Sequence, residues 1–192
     1  MFNPSAVEIQ TDRLLLRRFR NADLDAFVEY RSNESVARFQ SWDESYSKAD
    51  AERFLAEDSN VAPGQPGQWL QIAIEDRGTG KLCGDCAVRV TAEQPQTAEL
   101  GVTLAPHYQH GGIASEAVTA TLDWLFDEQD MHRVYAQTDD RNEAAHRLVE
   151  RLGFRLEGRL IEADWFVGEW TTLRIYAVLK KDTRPGSVRR RK

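Results

Sequence analysis

His107-Tyr108-Gln109-His110-Gly111-Gly112-Ile113-Ala114-Ser115-Glu116-Ala117 joins an apolar stretch, Glu99 to Leu104, to a segment with helical periodicity. Apolar and small residues recur at Ala114, Ala117, Val118, Thr121, Leu122, Leu125 and Phe126, along one face of a 3.6-residue helix. A glycine turn opening such a helix presents unpaired backbone N–H groups beside the positive end of the helix dipole. That arrangement suits a phosphate-bearing ligand, although a glycine turn also serves as a plain strand–helix connection. The turn is not a Walker loop, because no Gly-Lys-Ser/Thr is present, so no magnesium nucleotide is implied. Nor does it read G-x-G-x-x-G with a ribose-binding acid downstream. What remains is Gln109-x-x-Gly112-x-Ala114, with small residues where backbone must approach a ligand.

Upstream of this turn, Thr11–Arg20 reads as a strand. Asn21 is expected to cap a helix running through about Ser32, with Leu24, Phe27 and Val28 as its buried side. Ser47, with Asp50 three residues on, caps a second helix to about Asp58. Trp69–Glu75 and Leu82–Thr91 flank the turn Arg77-Gly78-Thr79-Gly80-Lys81 and form a hairpin. Thr97–Leu104 is the strand that feeds the glycine turn, whose helix runs to about Asp130. Downstream, Arg133–Thr138 is a short strand, and Asn142 caps a helix that reaches Leu152 and ends at Gly153. Phe154 to about Glu162 and Thr171–Leu179 complete the β content. A strand–helix–strand unit between antiparallel hairpins predicts an α/β (α+β) fold, a mixed sheet with helices on both faces.

At 192 residues, 41% hydrophobic and 9% aromatic, the chain is long and apolar enough for one domain with a real core. No apolar run approaches the roughly 20 residues of a membrane span. Met1–Ser5 has neither the charged start nor the apolar core of a signal peptide, and two cysteines cannot build a disulfide framework. A cytoplasmic location without a membrane partner is expected. The net charge of −6 hides an asymmetry: residues 180–192 carry seven basic residues against Asp182, which leaves −12 on residues 1–179. Such an acidic body repels nucleic acid and favours a cationic substrate. The basic end, broken by Pro185-Gly186, reads as a solvated tail rather than a nucleic-acid or membrane contact.

A second segment, Asn142-Glu143-Ala144-Ala145-His146-Arg147-Leu148-Val149-Glu150-Arg151-Leu152-Gly153-Phe154, gives the glycine turn a context. Together they resemble the GNAT superfamily of acyl-CoA N-acyltransferases, and within it the bacterial RimJ/RimL-like branch. Thr11–Arg17, Gln109–Ala117, His132-Arg133, Asn142–Phe154 and Glu157-Gly158 fall in that branch's order, over roughly residues 9–180. The resemblance implies one acyl-CoA N-acyltransferase domain over residues 1–180, and the basic composition beyond it is expected to form a disordered tail over 181–192. Its sheet would be mostly antiparallel and twisted, with a central parallel strand pair that splays. It further implies acetyl-CoA as acyl donor, no metal, direct transfer to an amine, and a homodimer as one assembly.

By that resemblance, Gln109, His110, Gly111, Gly112, Ile113 and Ala114 would wrap the CoA pyrophosphate with main-chain N–H groups. Val102, Thr103 and Leu104 would pair with the pantetheine arm, and Asn142 would hydrogen-bond that arm or cap its own helix. An attacking amine must be neutral, so a base is expected; Glu99 is the first candidate, with a solvent-facing strand carboxylate as its plain alternative. Glu162 and Asp164 are weaker candidates, for the base or for holding a cationic acceptor. The branch usually carries serine where Ala145 stands, and other branches a tyrosine where Val149 stands, each proposed to protonate the leaving thiolate. Tyr108, His146 or water would then serve as that acid. The acid often found at the start of the last strand is replaced by Thr172. The acceptor would be a protein N-terminus or a small cationic amine such as an antibiotic. The alternative is a catalytically weakened CoA sensor or interaction module of the same fold.

Cys83-Gly84-Asp85-Cys86 is a C-x-x-C on a strand, where positions three apart face opposite ways, so neither zinc nor redox chemistry is expected. The four histidines share no ligand spacing. Trp42, Trp69, Trp165 and Trp170 are read as core residues, or else as walls of an acceptor pocket.

Overall fold

The computed structural model describes residues 7–183. They build one eight-stranded sheet in the order β1-β2-β3-β4-β5-β6-β8-β7. Its strands are β1 (Glu8–Gln10), β2 (Leu14–Arg17), β3 (Trp69–Asp76), β4 (Leu82–Val90), β5 (Thr97–Leu104), β6 (Arg133–Asp139), β7 (Arg155–Phe166) and β8 (Glu169–Leu179). The helices are α1 (Leu24–Arg31), α2 (Glu34–Ala37), α3 (Lys48–Asp58), α4 (Ile113–Asp127) and α5 (Glu143–Arg151). Every strand pair is antiparallel except β5 with β6.

Alternation along the strands sorts the core onto two faces. Leu70, Ile72 and Ile74 of β3, Val88 of β4, Leu100 of β5 and Val134 of β6 pack in one cluster with Val118, Leu122 and Leu125 of α4. Ala73 of β3 belongs to a second cluster with Phe27 and Tyr30 of α1 and Ala51 of α3. Helices on both faces explain why the middle of β3 is buried continuously. Gly84 of β4 marks a point of close approach: a Cβ there would lie 2.0 Å from the Thr103 carbonyl oxygen on β5. Gly84→Ala is expected to destabilise the fold by about 2–4 kcal/mol, since backbone rather than a flexible tip must yield. Urea unfolding of the pair of proteins measures this, and unchanged stability would refute the close contact.

Several local readings needed correction. The N-terminal strand is β2 alone, and residues 8–10 form a further strand, β1, paired to it. Asn21 does not cap α1; Asn21–Asp23 is a 3-10 turn and the helix begins at Leu24. The reason is tertiary. Buried Arg17 takes the Asp23 carboxylate in two bonds of 2.7 and 2.9 Å, and the Arg20 N–H donates to it at 2.7 Å. Ser47 caps α3 as expected, with Asp50 completing the box. The β7–β8 hairpin is longer than expected and turns at Val167-Gly168, where both residues have positive φ. Its tip leaves Trp165 and Trp170 exposed in an edge-to-face pair. Lys180–Asp182 is a 3-10 turn, with Asp182 paired to Arg155. The basic run Arg184–Lys192 and the segment Met1–Ala6 lie outside the described residues. No helix among the described residues is long and apolar enough to cross a membrane.

Candidate active site

The parallel ladder between β5 and β6 is three residue pairs long: Thr97–Arg133, Ala98–Val134 and Glu99–Tyr135. Beyond Glu99 the strands separate, because β6 continues on β8 to Asp139 while β5 continues on β4 to Leu104. The sheet therefore opens as a V whose root is Glu99. Bonds from Ala105 N–H to the Cys83 carbonyl and from Thr91 N–H to the Thr97 carbonyl fix the odd-numbered residues of β5 as those bonded to β4. The even-numbered residues consequently turn their main-chain groups toward the opening. Val102 and Leu104 do so, whereas the peptide groups of Thr103 are engaged with β4. The Leu104 carbonyl is met by the Gln109 side-chain amide at 3.2 Å.

At the wide end of the V stands the glycine turn. Pro106–Tyr108 is a single 3-10 turn, followed by His110 and Gly112 in the left-handed region at φ 62° and 77°. A left-handed residue at each of these points coils the chain so that consecutive N–H groups line a concave surface, an anion-binding geometry. The first helical bond of α4 is from Glu116 N–H to the Gly112 carbonyl, leaving the N–H groups of Ile113, Ala114 and Ser115 without helical partners. The Ile113 side chain is buried and pins the helix start to the core. The glycine turn thus sets a row of N–H groups without helical partners at the positive end of α4.

Glu99 is 8% exposed and held by three donors. Arg89 pairs with Oε2, the Tyr135 hydroxyl donates to Oε2 at 3.1 Å, and the Gln137 amide donates to Oε1 at 3.2 Å. A carboxylate has about four lone-pair positions, so one on Oε1 stays open. Arg89 in turn lies over the Trp69 ring, 4.7 Å from its centre. The solvent-facing alternative for Glu99 fails on its burial. In the sequence, only the alternation of β4 and β6 around a buried acid hints at these partners.

Tyr108 stands elsewhere. Burial raises its hydroxyl pKa, and its other electrostatic neighbours are Cys83, Thr79 and Asp76 of the β3–β4 hairpin, on the far side of β5 from the opening. Asn142 caps α5, its Oδ1 accepting from Ala145 N–H at 3.1 Å. His146 is buried with Nε2 3.1 Å from the Asp139 carbonyl. Glu162 and Asp164 sit on the exposed edge strand β7. Both cysteines are free, and burial pushes each thiol up to about 12, far from the thiolate. Among the described residues no group of side chains could hold a metal ion.

Beyond the end of β6, a cavity of about 350 Å³ lies between α2 with its following loop and the tip of the β7–β8 hairpin. Glu34, Asp43, Glu44 and Glu169 line it with Arg38 and Arg141, and Trp42, Phe166 and Val167 supply apolar walls. Arg141 is already paired with Asp139 and Glu169, so the free charge is acidic. Trp42 is thus a cavity wall rather than core. Its ring covers the buried Arg31 guanidinium at 3.8 Å, and Arg31 faces Asp85 at 3.8 Å.

A V-shaped sheet with a glycine turn and helix N-terminus at its mouth and a buried carboxylate at its root is the architecture of an acyltransferase of the acetyltransferase class. The Acetyltransferase (GNAT) domain family matches residues 13–155, and the chain belongs to that family. The chain is 27% identical over 172 residues to the uncharacterized N-acetyltransferase YoaA of Bacillus subtilis, covering 90% of this chain and 96% of that protein. A GNAT-family acetyltransferase from Bacillus anthracis superposes with a TM-score of 0.80 at 27% identity, over 91% of this chain and 99% of the other. The spermidine N-acetyltransferase of Vibrio cholerae, solved with CoA and spermine, superposes at 0.78 with 21% identity, over 90% and 98% of the two chains. The chain is an acyltransferase with a GNAT N-acetyltransferase fold.

Proposed function

We propose that this protein is an acetyl-CoA-dependent N-acetyltransferase of the RimJ/RimL-like branch, acting by direct transfer on a primary amine of a cationic acceptor. The observation that carries this reading is the three-pair ladder that opens at Glu99 beside the glycine cradle. In this reading the N–H groups of residues 110–115 receive the diphosphate of CoA, aided by the positive end of α4, whereas the Gln109 N–H is already bonded to the Pro106 carbonyl. The Val102 peptide and the Leu104 N–H pair with the pantetheine arm as a missing strand would. Asn142, with its Oδ1 spent on the cap, offers its side-chain N–H₂ to the same arm. The thioester then lies near Glu99 and the acceptor approaches from the acidic cavity.

The amine lone pair attacks the thioester carbonyl carbon. A C–N bond forms, the C–S bond breaks, and CoA leaves as thiolate. A lysine-like amine costs about 4 kcal/mol to deprotonate at pH 7.5, so the open lone pair of Glu99 Oε1 takes that proton, directly or through one water. Thiolate departure needs little help, since a thiol near pKa 8.5 lies within about 2 kcal/mol of neutral conditions, and water relays to it the second proton that the acylated nitrogen sheds. The acidic, aromatic cavity supports a small polyamine-like cation or a cationic N-terminus over an anionic acceptor. Thiol release from acetyl-CoA with a panel of polyamines, aminoglycosides and N-terminal peptides tests the reading. Release with at least one cationic amine is expected. Thermal stabilisation by CoA without thiol release from any amine would favour the sensor.

A further inference from the structure

Glu116 presents a difficulty for any anion at the cradle. It occupies the first turn of α4, the same positive helix end that a diphosphate would use. Its carboxylate is nonetheless held by three donors from the turn between β1 and β2. The Thr11 hydroxyl donates to Oε1 at 2.5 Å, Arg13 N–H to Oε1 at 3.0 Å, and Arg13 Nε to Oε2 at 2.6 Å. Burial alone would raise the Glu116 pKa, yet these donors outweigh it and hold the carboxyl below its ordinary value. The same Arg13 guanidinium reaches the cradle itself. Nη1 donates to the Gly111 carbonyl at 2.9 Å, and a Cβ on Gly112 would lie 3.5 Å from Nη2. One further cation stands at this helix end: Arg151 of α5, bonded to the Ser115 hydroxyl at 2.7 Å.

We propose that Arg13 is a positioning residue for cofactor binding: it neutralises Glu116 and fixes Gly111, so that the helix end is free for phosphate. The inference rests on the reading of residues 110–115 as a CoA cradle. Its physical basis is competition between two anions for one positive site, with Arg13 assigning the carboxylate to the β1–β2 turn. Arg13 lies about 100 residues before the cradle, and its charge reaches it only through the fold.

CoA titration calorimetry on the full chain provides the test. Arg13→Gln should weaken CoA about tenfold, because Glu116 then faces the phosphates unneutralised. Arg13→Lys should stay within about threefold of the unaltered protein, since the charge remains. Glu116→Gln alone should bind CoA as tightly or a few-fold more tightly, and the double variant Arg13→Gln/Glu116→Gln should recover most of the loss. A brace with no electrostatic role would instead make Glu116→Gln weaker and leave the double variant unrescued, which overturns the proposal. Equal affinity of Arg13→Gln and the unaltered protein overturns it as well. Should Arg13→Gln fail to fold, the Glu116→Gln and Arg13→Lys affinities still decide. Failure of the unaltered protein to bind CoA would instead remove the cradle reading, and this inference with it.

Discussion

Glu99→Gln is expected to lower turnover by about 10²–10⁴-fold while CoA affinity stays within about threefold. Glutamine keeps the size and its one oxygen can still accept from Gln137, but it cannot take a proton. The side-chain N–H₂ would also face Arg89, so some loss of order at the root of the V is expected. The pH profile separates these effects. With Glu99 in place the deprotonation of the amine is assisted, and the rate is flat near neutrality. Without it the rate depends on amine that is already neutral, and it rises about tenfold per pH unit toward the amine pKa near 10. Equal turnover, or an unchanged profile, would show that Glu99 is a structural member of the Arg89–Tyr135–Gln137 cluster.

Gly112→Asp is expected to weaken CoA by at least about 100-fold without unfolding the protein. Gly112 has φ 77°, where a non-glycine residue costs roughly 1–2 kcal/mol and aspartate is among the better tolerated. The nearest atom to the added Cβ is Arg13 Nη2 at 3.5 Å, an ordinary contact, so the fold absorbs the change. The loss arises in the cradle, where a carboxylate would take the place and the charge of the diphosphate. Gly112→Ala, which adds strain and bulk without charge, should lose about tenfold or less. Melting curves establish folding, and CoA calorimetry reads affinity. Tight CoA binding by Gly112→Asp would move the phosphate site away from this turn.

These two positions differ in how openly the sequence displays them. Gly112 is legible because its role is local: glycine and small residues ahead of a helical stripe dictate turn geometry within a few bonds. Glu99 is legible as a residue but not as a site. Its donors come from positions 89, 135 and 137, and the chain gives no direct sign that they meet. Tyr108 and Thr103 illustrate the limit. One 3-10 turn carries the Tyr108 hydroxyl to the β4 side, and strand parity turns the Thr103 peptide groups to β4. A shift of one residue would have reversed the second outcome. Asn21 shows the same limit for a cap, since the buried charge of Arg17 outweighed a local preference.

The sequence by itself determined the order of the longer strands and helices, the α4 and α5 starts, the glycine turn ahead of α4 and the two-faced sheet, because periodicity and turn chemistry act over a few residues. Only the tertiary structure decided where the β5–β6 ladder ends, which donors surround Glu99, and that Arg13 pairs with Glu116. Those depend on register and on contacts between strands and helices far apart along the chain, where short-range rules carry no information.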